Sequence, residues 1–381
     1  MRIFSIAGIA CAALAAAFLI TGGCGNQGAD REPQVGVFLA LSGPTADFGI
    51  TTRNGIELAV DEINRGGGLI GKPMKILVED TRGKSDESRT AVTKLIEQNR
   101  VVALLGEVAS SNSLAAAPVA QARKVPMITP SSTNPEVTAV GDFIFRVCFI
   151  DPFQGLVMAK FAREELKAET AAILWDNSQD YSKGLAEVFK REFPRMGGRI
   201  VQDVTYASSD VEFSSQLTRI RTARPDVIFI PGYYSEVSLI ARKARELGIT
   251  VPLLGSDGWT SPTLLERAGG ALEGCYYSDH YSLESDKPSV RQFVESFRQK
   301  YGHDPNSLAA LGYDATWILA EAIKKAGSYD PVKMRDAIAS TKDFPGVTGK
   351  ITINEERNAV KSAVVLQIKD NRISYFTTID P

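Results

Sequence analysis

The chain has 381 residues, of which 44% are hydrophobic and 23% are charged, and its formal net charge is −2 at pH 7. This length is too great for one ordinary hydrophobic core and suits two α/β domains. The near balance of charge argues against a nucleic-acid-binding protein, which needs a basic surface, and against a polybasic membrane-binding patch.

The first 23 residues are typical of a secretory signal peptide. Arg2 precedes an apolar run from Ile3 to Ile20, and small residues then lead to Cys24. A membrane-anchor helix is the alternative, because the run is just long enough to span a bilayer, but its serine, glycine and alanines make it weakly apolar. We expect residues 1–23 to be removed on export and residues 24–33 to form a flexible tether.

From Gln34 onward, short β-branched runs alternate with amphipathic stretches, a pattern typical of parallel α/β folds. The first series of predicted elements is strand Gln34–Leu41, helix Ile50–Asn64, strand Met74–Glu79, helix Asp86–Gln98, strand Val101–Leu105, helix Asn112–Ala122, strand Val125–Ile128 and strand Phe143–Val147. The second series is helix Phe153–Glu165, strand Ala171–Trp175, helix Lys183–Phe193, strand Ile200–Tyr206, helix Glu212–Thr222, strand Val227–Ile230, helix Ser235–Leu247, strand Leu253–Leu254, helix Pro262–Ala268 and strand Gly274–Ser278. The chain is then predicted to form helices Ser289–Lys300, Ser307–Ala326 and Val332–Ser340 and strands Ser362–Lys369 and Ile373–Thr378. Two doubly wound units are therefore predicted, with late helices that pack back onto one of them.

Two cysteines lie beyond Cys24, at positions 148 and 275. Export to an oxidising compartment permits a disulfide between them. Each also sits inside an apolar, strand-like run, where a buried thiol behaves as a small hydrophobic group. The sequence leaves the paired and the unpaired state open.

No set of residues predicts an enzyme. The run Gly66–Gly71 has the spacing of a dinucleotide-binding loop, but it follows a helix and precedes a strand, the reverse of the order that phosphate binding requires. The histidines His280 and His303 lie at no metal-ligand spacing. We therefore expect no catalysis, no metal and no cofactor, with an enzyme based on carboxylates as the alternative.

Unusual polar and aromatic residues follow directly after predicted strands, where open α/β sheets bind ligands. In the first unit they form the segments Ser42–Gly49, Gly106–Asn112 and Thr129–Asn134, and in the second Tyr181, Tyr233–Tyr234 and Ser256–Trp259. Hydroxyls at a helix N-terminus favour an anion, and a carboxylate beside aromatic rings favours a cation with apolar surface nearby. Together the two sets suit an α-amino acid, although Ser110 alone also suits a helix cap and Asp257 alone a turn.

Several motifs resemble the periplasmic binding proteins for leucine, isoleucine and valine, which are type 1 solute receptors of ABC importers. The motifs are Ser42-Gly43-Pro44, Asp61-x-Ile63-Asn64-x-Gly66-Gly67-Gly68-Leu69-Ile70-Gly71, Ile128-Thr129-Pro130 and Ser256-Asp257-Gly258. The resemblance runs from about Gln34 to the end of the chain. It implies the type 1 periplasmic-binding-protein fold, in which two doubly wound (Rossmann-like) lobes are joined by three hinge crossings.

The resemblance also implies where the lobes divide. Lobe 1 is expected to contain residues 34–149 plus 282–359, and lobe 2 residues 150–281 plus 360–381. The hinge crossings are expected near Phe149–Phe153, Asp279–Ser282 and Asn358–Ser362.

In this family pattern the lobe 1 residues bind the ligand's carboxylate. Ser110 and Thr133 would donate their hydroxyls to it, and backbone groups of Val108 and Ser131 would complete the cradle. Asp257 would accept from the ligand's ammonium group. We expect the Asp257 side chain to lie at an open cleft, where it needs no partner within the protein.

The family pattern assigns the side-chain pocket to aromatic residues. Phe48, Tyr181, Tyr233 and Trp259 would form its wall. Two residues depart from the branched-chain receptors, which commonly show glutamate at the position of Asp257 and tyrosine at the position of Phe48. These departures bear on the exact ligand more than on the amino-acid class.

The small residues before Cys24 resemble a bacterial lipobox, which implies a lipid on that cysteine, although Thr21 stands where leucine is usual. The implied function is that of an exported, periplasmic or cell-surface, monomeric binding component of an ABC importer. Its hinge would close on a neutral, branched-chain L-amino acid, and membrane permease subunits would be its partners. The alternatives are an amide, urea or an aromatic acid as ligand, or a sensory receptor with the same fold.

Overall fold

A computed structural model of the chain describes residues 34–381. The predicted signal peptide, Cys24 and the tether lie outside the described residues. Among the helices of residues 34–381, none has the length and apolar character needed to cross a membrane.

The first sheet contains five parallel strands in the order β2-β1-β3-β4-β5. Its strands and their helices are β1 (Gln34–Leu39), α1 (Ala46–Arg65), β2 (Lys75–Asp80), α2 (Ser85–Glu97), β3 (Ala103–Gly106), α3 (Ser110–Ala122), β4 (Met127–Thr129), α4 (Glu136–Ala139) and β5 (Ile144–Arg146). Alternate residues of β1 point to opposite faces: Val37 shares a core with Ile56 of α1, whereas Phe38 shares another with Leu95 of α2. Helices therefore cover both faces, as expected for a parallel sheet.

Helix α1 begins four residues earlier than predicted, at Ala46 instead of Ile50. On the sequence alone, Ser42–Gly49 belongs to the polar segment between the first strand and the helix. In the structure Gly49 is buried, and a Cβ on it would lie 2.0 Å from the carbonyl oxygen of Ala40. Glycine here lets the helix pass close to the end of β1, and it places Phe48 on the helix.

The second sheet contains seven strands in the order β15-β14-β10-β9-β8-β6-β7. Its elements are α5 (Asp151–Glu164), β6 (Thr170–Asp176), α6 (Asp180–Arg195), β7 (Arg199–Tyr206), α7 (Ser214–Ala223), β8 (Val227–Phe229), α8 (Tyr234–Glu246), β9 (Leu253–Gly255), a 3-10 turn (Asp257–Trp259), α9 (Leu264–Ala268), β10 (Tyr276–Asp279), β14 (Ala363–Lys369) and β15 (Arg372–Ile379). Strands β6 to β10 are parallel, β14 is antiparallel to β10, and β15 is antiparallel to β14. The antiparallel pair closes one edge of the sheet.

Three long helices and a small sheet come between β10 and β14. They are α10 (Pro288–Tyr301), α11 (Ser307–Ala326), α12 (Pro331–Ala339), β11 (Phe344–Gly346), β12 (Gly349–Ile353) and β13 (Ala359–Val360). Helix α11 packs closely against α1, where a Cβ on Gly55 would lie 1.9 Å from the carbonyl oxygen of Ala309. The late helices therefore return to the first sheet. The described chain is thus a pair of doubly wound lobes of the type 1 periplasmic-binding-protein fold.

The chain passes between the two sheets three times. The first passage lies between β5 and β6, the second follows β10, and the third lies between β13 and β14. The predicted hinge segment Phe149–Phe153 lies in the first passage, whereas Asp279–Ser282 and Asn358–Ser362 begin in or before the preceding strand and run into the second and third passages. The hinge positions and the lobe boundaries stay predictions.

The structure contains short elements that the sequence did not predict, namely α4 and the strands β11 to β13.

The structure also resolves the question left open for the two cysteines beyond Cys24. Cys148 and Cys275 are both buried and both free.

Candidate functional site

Residues from both lobes meet around a small enclosed space of about 10 Å³. We call these residues the cleft cluster: Phe48, Val108, Ser131, Tyr181, Tyr233, Asp257, Gly258 and Leu308. Six of the nine ligand-binding residues predicted from the sequence are among them. The space is about that of a single water molecule, so the lobes are closed against each other.

Asp257 is the carboxylate of the cluster, and only 4% of its surface is exposed. It begins the 3-10 turn that follows β9. The Tyr181 hydroxyl donates to its Oδ1 atom at 2.7 Å. The same hydroxyl accepts from the backbone N–H of Gly258 at 2.8 Å, and a Cβ on Gly258 would lie 2.8 Å from it. Glycine at 258 therefore lets the tyrosine reach the acid.

A histidine and a glutamine hold Asp257 from the other side, and neither was predicted as a site residue. Nε2 of His280 lies 3.1 Å from Oδ2 of Asp257, and the His280 ring stacks on Phe149 with centroids 3.8 Å apart. Gln154 Oε1 accepts from the backbone N–H of Asp257 at 2.9 Å. The expectation that Asp257 needs no protein partner is therefore wrong, because the turn after β9 folds inward and buries the side chain.

Burial governs the protonation of the groups around Asp257. It lowers the pKa of His280 to about 4, so the ring is neutral at pH 7 and donates to Asp257 when Nε2 carries the proton. Burial, reinforced by the nearby charge of Asp257, raises the pKa of Asp151 to about 8. Protonated Asp151 adds no second negative charge to the site at pH 7. An ionised carboxylate has about four acceptor positions, so Asp257 retains capacity for further donors beyond Tyr181 and His280.

The lobe 1 side of the cluster is a backbone framework tied by hydroxyls. Ser132 Oγ lies 3.0 and 2.9 Å from the carbonyl oxygens of Glu107 and Val108, and its single proton is shared between these two acceptors. Thr129 Oγ1 donates to the same Glu107 carbonyl at 2.6 Å. The buried Arg146 guanidinium donates to the Ser132 carbonyl. These bonds fix the two loops that carry Val108 and Ser131.

Two predicted ligand donors, Ser110 and Thr133, lie in those loops without lining the small space. Ser110 is the first residue of α3, and Ala109 before it offers no side chain to cap the helix N–H groups. Ser110 Oγ accepts from the backbone N–H of Asn134 at 3.3 Å. The buried Thr133 hydroxyl has no partner that meets normal hydrogen-bond geometry. Both hydroxyls thus remain able to donate.

Trp259 is placed differently from the other predicted wall residues. It is fully buried and its indole N–H donates to the carbonyl oxygen of Ile230 at 2.9 Å. A Cβ on Gly255 would lie 2.1 Å from the Trp259 ring, so the ring packs back against the end of β9, the strand before the turn. In this arrangement Trp259 supports the turn that carries Asp257, and its role in the wall stays a prediction.

Outside the cleft cluster, a second set of contacts joins the lobes, and we call it the rim clasp. It consists of Pro44 and Asp47 of lobe 1 with Tyr234, Ser261 and Thr263 of lobe 2. The hydroxyls of Ser261 and Thr263 donate to Asp47 Oδ2 at 2.5 and 2.6 Å. The Tyr234 hydroxyl donates to the Pro44 carbonyl at 3.0 Å. These bonds form only when the lobes are closed.

The fold and the interlobe site together define a class of protein. The sequence profile of the periplasmic binding protein family matches residues 32–372, and the chain belongs to that family. The two doubly wound lobes and the three passages of the chain between them agree with that membership.

Individual relatives are more specific. The chain is 30% identical to the leucine-, isoleucine-, valine-, threonine- and alanine-binding protein of Pseudomonas aeruginosa over 319 aligned residues. The aligned region covers 83% of this chain and 84% of the relative. A leucine-binding protein from Thermotoga maritima superimposes with a TM-score of 0.88 at 40% identity, over 92% of this chain and 99% of its own. A branched-chain amino acid transporter substrate-binding protein from Streptococcus pneumoniae, solved in complex with isoleucine, gives a TM-score of 0.88 at 31% identity, over 92% and 100% of the two chains.

Proposed function

We propose that the chain is the exported substrate-binding component of an ABC importer and binds a neutral, branched-chain L-amino acid between its lobes. The observation that carries this proposal is the cleft cluster, in which one carboxylate and two tyrosine rings of lobe 2 face loops of lobe 1. The named relatives support the same ligand class. No bond is made or broken in the proposed role.

The chemistry of the two faces suits an α-amino acid. The first turn of α3, with Ser110 and Thr133 nearby, supplies N–H and O–H donors for the carboxylate. Asp257 supplies an acceptor for the ammonium group. The rings of Phe48 and Tyr233, whose centroids lie 5.2 Å apart, supply apolar surface for the side chain. Each ligand methylene buried there contributes about 0.8 kcal/mol.

Binding requires motion of the lobes. An amino acid is larger than the closed space of about 10 Å³, so the rim clasp must open and the contact between Phe48 and Tyr233 must part. Hinge rotation at the three chain passages provides this motion, and closure then excludes water from the ligand. The closed form is the state that permease subunits would recognise.

Calorimetric titration of the mature chain tests the ligand class. We expect one-to-one binding of leucine, isoleucine or valine, each tighter than glycine, and discrimination among the three of no more than about 1–3 kcal/mol. Benzoate and urea serve as matched controls, since neither has the ammonium group that would donate hydrogen bonds to Asp257. Tight benzoate binding with no heat from any aliphatic amino acid would overturn the proposal in favour of an aromatic-acid receptor.

Export and lipid attachment are a separate part of the proposal, carried by the residues before Cys24. Cys24→Ala should move the exported protein from the membrane fraction to the soluble fraction. If the wild-type protein is already soluble after export, cleavage is by the ordinary signal peptidase and no lipid is attached.

A further inference from the structure

A larger cavity of about 710 Å³ lies where the chain passes between the lobes. We call it the hinge cavity. The second passage contributes His280 and Tyr281 to its lining, and the third contributes Lys361. Its volume falls within the range of small-molecule sites.

Both lobes contribute to the walls of the hinge cavity. Val347 comes from the loop between β11 and β12, and Val364 comes from β14. Tyr281 is 6% exposed and donates its hydroxyl to the carbonyl oxygen of Pro305, so its ring is fixed in place. The walls therefore offer apolar surface on several sides.

Lys361 is the charged group of this cavity that is most deeply buried, with 5% of its surface exposed. Its Nζ donates to the carbonyl oxygen of Val147 at 3.4 Å and to Thr348 Oγ1 at 2.5 Å. An ammonium group has three donors, so one remains. Among residues 34–381, no carboxylate oxygen lies within 4.0 Å of this nitrogen.

The nearest compensation for Lys361 is indirect. Thr348 Oγ1 donates in turn to Asp314 Oδ2 at 2.7 Å, and Asp314 also accepts the backbone N–H groups of Val347 and Thr348. Burial lowers the pKa of Lys361 to about 8. A buried cation without a direct counter-charge is costly, and an anion in the adjoining cavity would supply the missing partner.

The remaining polar groups restrict where that anion binds. The other charged side chains of the lining, Glu284, Asp286, Lys287 and Lys350, are exposed and balanced in sign, so water screens them and Lys361 is the buried charge available to an anion. Because Nε2 of His280 donates to Asp257, the unpartnered Nδ1 of the neutral ring is an acceptor and gives a carboxylate no donor, so Lys361 is the group that would hold the anion. One charge at the inner end and apolar walls around it match a single carboxylate attached to a small apolar body.

We propose that the hinge cavity is a second binding site, which takes a small monocarboxylate with its carboxylate on Lys361 and its apolar body against Tyr281, Val347 and Val364. This site is separate from the amino-acid cleft. Because its walls come from both lobes and from two chain passages, it is complete only when the lobes hold a defined arrangement.

The test uses 4-fluorophenylacetate as the probe, titrated into the full mature chain and observed by fluorine NMR at pH 7. We expect saturable broadening of the probe signal that persists in the presence of excess L-leucine. Val360→Trp should abolish it, since Val360 lines the cavity, is 47% exposed and lies in β13, where tryptophan is tolerated. Val211→Trp is the matched control, because Val211 is 78% exposed and lies outside the cavity.

A second pair of variants tests the charge. Lys361→Met should weaken probe binding by about tenfold or more, through loss of a charge-assisted hydrogen bond. Lys350→Met, at the same cavity but with its side chain 72% exposed, should change it by less than about threefold because water screens that charge. The proposal is overturned by an absence of saturable broadening, by broadening that survives Val360→Trp, or by displacement of the probe in step with leucine occupancy. A separate leucine titration of each variant reports the cleft independently, so failure of one site is distinguishable from failure of the other.

Discussion

The two faces of the cleft are held in place by different physical means. On lobe 1, hydroxyls and the Arg146 guanidinium bind backbone carbonyls of the loops after β3 and β4. On lobe 2, tyrosine rings pack on each other, with Tyr181 and Tyr233 stacked at 5.1 Å, and the acid is held by side chains alone. A backbone framework keeps its shape when one side chain changes, whereas a set of packed side chains does not.

This difference predicts which substitutions should weaken ligand binding most. Removal of a single lobe 1 hydroxyl leaves the N–H groups of α3 in place. Removal of a lobe 2 side chain takes away the binding group itself and the support of its neighbours. We therefore expect substitutions on lobe 2 to have the larger effects.

Asp257→Ala should have the largest effect. Loss of one member of a desolvated charge pair costs about 2–5 kcal/mol of ligand binding, which corresponds to an affinity for leucine about 30-fold to about 4000-fold lower. The unliganded protein should also lose about 1–3 kcal/mol of unfolding free energy, because Tyr181 and His280 lose their acceptor. Titration and thermal melting measure the two effects.

Asp257→Asn is the control for that change, since it preserves volume and one acceptor oxygen. It should still weaken leucine binding strongly, while affecting stability less than alanine does. Leucine binding by Asp257→Ala that equals the wild type would reduce Asp257 to a turn residue.

Tyr233→Ala should come next. It removes a ring that contacts both Phe48 and Tyr181, and leucine affinity should fall by about 10- to 100-fold, with a smaller fall for alanine, whose side chain buries less surface. Tyr233→Phe is the matched control. The Tyr233 hydroxyl has no hydrogen-bond partner, so its removal should leave stability unchanged or raised. Equal losses for leucine and alanine in Tyr233→Ala would mean that the ring does not shape the side-chain pocket.

Asp47→Ala should weaken binding without touching the cleft cluster. It removes the acceptor for Ser261 and Thr263 in the rim clasp, so the closed state becomes less populated and the apparent affinity falls by about three- to tenfold. Small-angle scattering of the unliganded variant should show a larger radius of gyration. Asp86→Ala is the matched control, because Asp86 occupies the first turn of α2 as Asp47 does that of α1. An unchanged radius together with an unchanged affinity would show that the clasp does not set the closed population.

Ser110→Ala should have the smallest effect of the four, a loss of about 0.5 kcal/mol in leucine binding, which is about twofold in affinity. The N–H groups at the start of α3 still bind the carboxylate after the hydroxyl is gone. Ser214→Ala, at the first position of α7, controls for helix stability. A loss from Ser110→Ala as large as that from Asp257→Ala would remove the distinction between the two faces.

The fold could be predicted from the sequence because β-branched runs alternate with amphipathic stretches over most of the chain. The elements that were missed are short and depend on tertiary contacts. Strand β11 is Phe344-Pro345-Gly346, two of whose residues disfavour strands, and Asp314 of α11 anchors the turn that follows it. Local propensity carries no signal for such a strand.

The site was only partly accessible to sequence reasoning. Residues directly after strands were found because parallel strands end at one edge of a sheet. His280 also follows a strand, β10, directly, but it has no metal-ligand spacing to His303 or to a cysteine, and a single histidine after a strand carries no signal for a contact with a carboxylate. Gln154 lies in the first turn of α5, where a glutamine usually faces water, and only the packing of that helix on β10 shows its role.

The return of the last strands to the second sheet has a consequence for how the protein is made. Strand β14 pairs with β10 and β15 pairs with β14, and α11 completes the core under α1. Neither lobe is therefore complete until most of the chain has left the ribosome. At about 5–20 residues per second, the segment of about 80 residues between β10 and β14 takes about 4–17 s to synthesise, and during that time the edge of β10 that β14 covers remains unpaired. An uncovered strand edge can pair with another chain, so the second lobe is open to aggregation until its last strands have been synthesised.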